Sequence, residues 1–294
     1  MAGVDINRTT TGVMLPPDVS NEIWAKTLTE SAVMQFARRI PLPGRGVSIP
    51  IITGEPTANW VAETDAKPVS RGTLDNKLIT PYVLAVIEPF SNQFRRDVPA
   101  LYSELVRRLP FALSRKFDET VFGAASGAPG SNFDTLGDAT AVNIATDTYD
   151  ALVSADSAIS VADGILSGWV IAPQAKSLLL TTKDTTGRPL FINNAQTDGA
   201  VPALLGSPVH VRKAVYAAGN PPVLGFAGDW SDAVYGTVEG VQIAISDQAT
   251  LTDGASTINL FQQNMFAVRA EIEIGFRVKN AAEFVKLTGN TVEA

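Results

Sequence analysis

Few residues in this chain have the types that catalysis would need. The single histidine, His210, could act as a general base. It alternates with Val209 and Val211, so it falls on a strand and reads as a partly exposed structural residue. Glu271 and Glu273 share one strand face and could line a metal site. Their alternation with Arg269 and Arg277 argues instead for ion pairs between strands or between subunits. Glu63 and Asp65 lie on an irregular segment, a poor place for preorganised acid–base work. Gly44-Arg45-Gly46 opens like a dinucleotide loop, yet Ile49 takes the third glycine position and no helix follows. A nucleophile elbow, a Walker loop and an H-E-x-x-H pattern are all absent from the sequence. Zero cysteines exclude disulfides, thiolate metal sites and cysteine nucleophiles. Asn7-Arg8-Thr9 matches a glycosylation sequon by its letters alone. The reading is therefore a non-enzyme with no cofactor and no metal.

Bulk properties narrow the class. The 294 residues allow one large domain or two modest ones. With 45% hydrophobic and 18% charged residues, the chain is globular. Cysteine-free composition fits a reducing cytoplasm. The sequence has neither a secretory signal pattern nor an apolar run of about 18 residues, so no membrane partner is expected. Its 23 basic and 30 acidic residues give a net charge of −7, a poor balance for sequence-independent DNA binding. Nucleic acid, if a neighbour, is expected to be enclosed rather than gripped. Arg38/Arg39, Arg95/Arg96 and Arg107/Arg108 form local basic spots that read as solvated faces.

The element that organises the rest is predicted at Asp97–Phe122. Leu101, Leu105, Leu109, Leu113, Phe117 and Val121 recur every four residues and form one ridge of a long helix. Asp97 suits the N-cap and Pro99 the first turn. Arg107, Arg108, Arg115, Lys116, Asp118 and Glu119 are expected to face solvent or neighbours. Pro110 removes one backbone bond and predicts a bend.

Before this helix, residues 1–17 read as an extended or mobile arm, and Asp18 or Ser20 caps a helix running to about Arg39. Val47, Ile49 and Ile51 alternate as a strand, which Pro50 confines to an edge or bulge. Residues 54–77 fit neither period and carry Trp60, Glu63, Asp65, Lys67 and Arg71. Residues 78–90 are apolar on both parities and read as a strand buried on both sides for part of its length. Irregular loops this long are usually functional, and an isolated two-stranded ribbon is marginal in water. The excursion therefore either folds back on its own domain or lies on a neighbouring subunit.

After the helix, residues 123–141 form a Gly/Ala/Ser-rich connection that reads as a boundary. Short helices are predicted at 148–161 and 174–181, and strands at 168–173, within 204–214 and within 223–247. Residues 265–280 show the best period-two signal, with Phe266, Val268, Ile272, Ile274, Phe276 and Val278 on one face. Residues 283–289 are expected to pair with that strand.

The ordered segments PLPGRGVSIPIITG (41–54), WVAETDAKPVSRG (60–72), AVIEPFSNQFRRD (85–97) and RKFDETVFG (115–123), with the later GSPVHV, FAGDWSDAVYG and FRVKNAAEFVKL, resemble tailed-phage major capsid proteins of the Hong Kong 97 type, in the branch found in phages of actinobacteria. The resemblance runs from about Leu15 to Leu287. It implies an α+β fold with an N-arm (1–43), an extended two-stranded loop (44–94) and a peripheral domain with the long spine helix (95–145). An axial domain (146–258) and a C-terminal return to the peripheral domain (259–294) complete it. Subunits would form hexamers and pentamers that close into an icosahedral head around double-stranded DNA, in a virion assembled in the bacterial host cytoplasm. Implied partners are further copies of the chain, a portal, and scaffold or decoration proteins. Intersubunit contacts are expected at Trp60, Glu63, Asp65, Lys67, Arg71, Glu271, Glu273 and Arg277. Some relatives carry a long N-terminal scaffolding segment. The short stretch before Leu15 implies a separate scaffold or none. Some relatives join a loop lysine to an asparagine covalently. Lys67, Lys77 and Asn280 match that pattern poorly, so non-covalent joining is expected. The alternatives are an encapsulin-like nanocompartment shell and a soluble enzyme with an unrecognised site.

Overall fold

A computed structural model describes residues 31–54, 56–92, 98–124, 127–183, 191, 203–254 and 256–290. The Asp18 or Ser20 helix start, the Asp97 cap, the sequon and Arg95/Arg96 lie outside the described residues.

The described chain opens with the five-residue helix α1 (Ala32–Phe36), whose Met34 N–H donates to the Ser31 hydroxyl at 3.2 Å. The helix does not reach Arg39 as the sequence suggested. Arg38–Pro41 instead forms strand β1, which finds a parallel partner in a later strand. Next come β2 (Val47–Gly54) and β3 (Thr73–Ile79), an antiparallel ribbon in which Pro50 faces Asn76. Strand β4 (Tyr82–Ser91) follows. The apolar run at 78–90 is thus two strands, not one. Pro81 cannot donate to a ladder, and the chain changes sheets there. On β4, Leu84, Val86 and Phe90 pack inward while Val83 and Ile87 are exposed.

The long helix α2 (Val98–Val121) runs through Pro110 without interruption. Leu109, Leu113, Phe117 and Val121 are all buried, so the ridge read from the four-residue spacing is the packed face. Against it lies strand β14 (Met265–Val278). Between them in sequence come β5 (Thr140–Asn143), α3 (Thr148–Val161), β6 (Gly168–Ile171), α4 (Pro173–Thr181), β7 (Ala203–Leu204), β8 (Ser207–Val211), β9 (Val223–Gly228), β10 (Ala233–Thr237), β11 (Gln242–Ser246), β12 (Thr250–Asp253) and β13 (Ser256–Asn259). Strand β15 (Phe284–Thr288) comes last.

Two large sheets result. In the five-stranded sheet, β4 pairs with one edge of β14 over ten residues, Met265–Ile274, while β11 pairs with Ala267–Glu271 and β10 with Ile274–Val278 along the other edge, and β1 extends beyond β10. The six-stranded sheet has the order β5-β15-β9-β6-β8-β7. Helices α3 and α4 cover one of its faces through Leu152, Ile159 and Leu179 against Trp169 and Ile171. Its other face, with Val170, Phe226 and Phe284, merges into a core shared with α1 and the end of α2. The expectation that β15 pairs with β14 is overturned: β15 joins β5 and β9. Its Phe284, Val285 and Leu287 are apolar on both parities, which suits an interior strand covered on both faces.

The connection after α2 is also firmer than its composition suggests. Phe133 and Leu136 are buried in the shared core, and the Leu136 N–H donates to the Val121 carbonyl at 2.7 Å.

The return from β3 to β4 crosses β14 at Gly275. A Cβ there would lie 2.6 Å from the Thr80 carbonyl oxygen and 2.9 Å from Ile79 Cγ1. Gly275→Val is expected to push this turn off the strand and to cost about 1–3 kcal/mol, as overpacking does. A urea midpoint matching that of the unaltered chain would show that the turn does not press on β14.

Candidate assembly surfaces

The arm built by β2 and β3 is held at its root and open at its tip. At the root, Ile49 and Ile79 are buried with Leu42 and Val234. Lys77 Nζ donates to the carbonyls of Val278 and Lys279 at 2.8 and 3.0 Å. In return, Arg277 Nε donates to the Leu78 carbonyl at 2.9 Å. The same guanidinium reaches Asp134 at 2.5 Å and the Asn132 side chain at 3.1 Å. One cation thereby ties together the arm, the end of β14 and the connection after α2. Only 13% of the Arg277 side chain is exposed, so its charge is spent within the subunit. The alternation along β14 marked Arg277 as important, but nothing in the sequence identified Asp134 as its partner.

At the tip, residues 56–72 are irregular. The Thr57 N–H donates to the Ser70 hydroxyl at 2.8 Å and joins the two sides. Trp60 is 105% exposed, and Val69 and Leu74 are also largely exposed. Glu63, Asp65, Lys67 and Arg71 are exposed around it. An exposed indole forfeits the burial of a large apolar surface, about 150–250 Å² for an aromatic side chain. The sequence reading placed these five residues on one excursion, and the structure brings them to one projecting segment.

The second surface is the outward side of the five-stranded sheet. Val83 and Ile87 of β4 stand opposite Glu273 and Arg269 of β14. Arg269 pairs with Glu271 at 3.2 Å along the same strand, not across strands as expected. Residues two apart share a face, and a long arginine spans that separation. Glu271 and Glu273 border a cavity of about 150 Å³ that also includes Val83, Val238 and Gln242. On the opposite, helix-facing side of β4, Arg108 of α2 reaches Glu88 at 3.2 Å. Among the described residues, no cluster of three His, Asp or Glu side chains is disposed to hold a metal ion.

His210 lies half-buried on β8, its ring edge-on to Phe36 at 4.6 Å. Burial and then the nearby Arg212 hold its pKa below the usual histidine range. Asn280 accepts from the Ala282 N–H at 3.1 Å and donates to Glu283 at 2.8 Å, a capping arrangement before β15.

Asp118 departs furthest from expectation. The sequence placed it among residues facing solvent or neighbours, yet it is buried beneath α1. Its carboxylate accepts from the Ser31 hydroxyl at 2.6 Å, the Ala32 N–H at 2.8 Å and the Val33 N–H at 3.4 Å. It therefore caps a helix far away in sequence. Burial dominates over these hydrogen bonds and over Arg212, and pushes its pKa up from 3.8 to about 7.

Residues 11–289 match the phage capsid family. The chain is 31% identical over 296 residues to the probable major capsid protein gp17 of Mycobacterium phage L5, covering 93% of this chain and 89% of that protein. It is 32% identical over 291 residues to the probable major capsid protein gp17 of Mycobacterium phage D29, with the same coverage of each. A solved structure from Mycobacterium phage Adephagia superposes with a TM-score of 0.72 at 20% identity, covering 90% of this chain and 91% of that one. The capsid of an empty GTA particle, computed with C5 symmetry, superposes with a TM-score of 0.65 at 15% identity, covering 98% and 96%.

The Asp118 site carries a pH dependence with a defined sign. Because its pKa is higher in the folded chain, folding retains a proton that the unfolded chain releases from about pH 4 upward. Its stabilising contribution is complete below the unfolded value of 3.8 and is lost as pH rises through about 7. The difference amounts to at most roughly 4 kcal/mol. Asp118→Asn should flatten the urea midpoint between pH 4.5 and pH 8 relative to the unaltered chain, those limits bracketing roughly the two pKa values. Equal slopes for both proteins would show that Asp118 does not titrate in this window.

Proposed function

Because this chain belongs to the phage capsid family, we propose that its copies join through the projecting arm into hexamers and pentamers, which close into an icosahedral head. The chain is a major capsid protein of a tailed phage, with the Hong Kong 97-like α+β fold, and it is a structural component of the virion. It works as an oligomer assembled in a capsid shell. The observation that supports the arm as the joining element is the fully exposed Trp60 on a ribbon that, among the described residues, is anchored at its root. A neighbouring copy gives the indole cover, and Glu63, Asp65, Lys67 and Arg71 around it fix register by complementary charge. Glu271 and Glu273, with Val83 and Ile87, present the outward sheet face as a second contact. Arg277 then acts on assembly indirectly, by setting the direction of the arm.

The peripheral role is assigned to the five-stranded sheet with helix α2, and the axial role to the six-stranded sheet with α3 and α4. In this reading residues 95–145 and 259–294 belong to the peripheral domain and 146–258 to the axial domain, while β10 and β11 join the five-stranded sheet and β5 and β15 the six-stranded one. The remaining partners in this reading are a portal, separate scaffold or decoration proteins, and enclosed double-stranded DNA, with assembly in the host cytoplasm. Contacts with the genome are non-specific, in keeping with the net charge of −7.

Deletion of residues 56–72 tests the arm. The ladder of β2 with β3 lies outside the deleted stretch, so a folded subunit is expected. Shells should disappear from negative-stain images and from the void volume of a sizing column. Shells of normal size from the deleted chain would overturn the intersubunit role. Trp60→Ala is the milder form, with an expected loss of about 2 kcal/mol or more per contact for a central aromatic anchor.

A further inference from the structure

A cavity of about 220 Å³ opens between the start of β4, the second half of α2 and the connection that follows it. Tyr82, Phe117, Phe133 and Ile274 give it aromatic and aliphatic walls. Phe133 meets Tyr82 and Phe117 edge-on, with ring centres 6.2 and 6.3 Å apart. The Asn132 N–H donates to the Tyr82 hydroxyl at 3.2 Å, which holds that wall in place. Lys116 is exposed beside the opening and, among the described residues, pairs with no carboxylate. A dry cavity of roughly 150 Å³ takes a benzene ring, so this larger one has room for the two fused rings of an indole.

We infer that this cavity receives Trp60 from the arm of a neighbouring copy. The inference rests on the proposed joining of copies through the arm and names the socket that the tip fills. Within its own subunit the indole is fully exposed. The seven residues of β3 carry the tip about 20 Å from the root, whereas the cavity adjoins that root at Tyr82. Tip and socket therefore meet between copies. Their chemistry also matches. Glu63 and Asp65 follow the indole through a turn in which the Asp65 N–H donates to the Ala62 carbonyl at 3.2 Å. The Lys116 ammonium suits both the face of an indole and these carboxylates. The cavity of about 150 Å³ on the outward sheet face is smaller and carries Glu239, Glu271 and Glu273, which repel Glu63 and Asp65. A third, of about 200 Å³ beside Lys213–Val215, is lined by Arg115, Asp118, Arg212 and Lys213, and an apolar ring there would strip water from charged groups. Tip and socket are different patches, so their contact is heterologous, and such contacts generate rings where the rotation closes.

Cross-linking of assembled shells tests the socket, and the cysteine-free sequence makes it clean. Asn59 beside the indole and Ala128 at the opening of the cavity are both exposed. Shells of the double variant Asn59→Cys/Ala128→Cys are treated with a short bismaleimide and run on a denaturing gel. Most of the monomer band should be lost to a ladder of chains that ends at closed rings of five and six. Chains that stay monomeric, stop at dimers or link without limit overturn the inference, whatever else fills the cavity, residues 1–30 of the chain included. Should this variant give no shells, the unaltered chain decides. Carbodiimide treatment of its particles should join Lys116 to Glu63 or Asp65, as read by mass spectrometry, and the link should be lost in dissociated subunits. Particles in which Lys116 joins neither carboxylate overturn the inference. Shells from the chain lacking residues 56–72 would instead sink the role of the arm, and an unaltered chain that yields no particles would sink the capsid reading itself.

Discussion

An arm without a core of its own must borrow rigidity from the body it leaves. Two strands alone are marginal in water. Here the ribbon is fixed where it crosses β14. Ile79 is buried below it, Lys77 donates to the last carbonyls of β14, and Arg277 donates back to Leu78. These bonds run in both directions across one junction, so bending the arm breaks several together. Arg277 is also tied to Asp134, which itself accepts from the Val278 N–H at 3.1 Å. The junction therefore couples the arm to the connection leaving α2. In the proposed assembly, where the arm meets a neighbour, setting its direction beforehand reduces the entropy lost on contact.

The same economy explains why β14 is the longest strand. It pairs with β4, β10 and β11 and lays Phe266, Val268, Ile272, Ile274 and Phe276 against α2. Strand β4 leads from the arm, while β10 leads from the six-stranded sheet through Trp230. That indole donates to the Gly168 carbonyl at 3.1 Å and packs on Phe284 and Phe36. One aromatic core thus spans the two sheets. The two sheets cannot shift past each other without opening it, which suits a subunit that must act as a rigid tile.

Much of this was legible in residue order. The ridge from Leu109 to Val121, the alternation along β14 and the α3 boundaries follow directly from periodicity and composition. What was not legible depends on distant partners. Asp118 looks like a solvent-facing helix residue until α1 arrives from far upstream and needs its N–H groups satisfied. Phe284–Thr288 looks like the partner of the strand just before it. Only the placement of β5 and β9 shows that an interior position was available elsewhere. Residues 78–90 looked like one strand because apolarity on both parities signals burial but not which sheet provides it. Local patterns specify elements and faces, whereas pairing is a property of the whole chain.

A protein built to associate must also avoid associating wrongly, and its sheet edges bear on this. Unpaired backbone at a sheet edge recruits further strands without limit. Strand β1 is only four residues long and reads Arg-Arg-Ile-Pro, so charge and a missing N–H discourage a new partner. Strand β7 has two residues, and β5 has four. Pro50 removes one backbone donor from β2 on the ribbon, and Pro89 one from the long β4. Edge pairing is therefore a poor route for joining copies. In the proposed assembly the joining surfaces are side-chain surfaces: an indole with mixed charges at the arm tip, and an outward sheet face where valine and isoleucine alternate with ionised groups. Such surfaces match a partner only in particular orientations. Each contact is modest, and a closed symmetric arrangement satisfies all of them at once, while an open stack leaves its end faces uncovered. The resistance of the edges and the selectivity of the faces act in the same direction, toward closure and away from fibres.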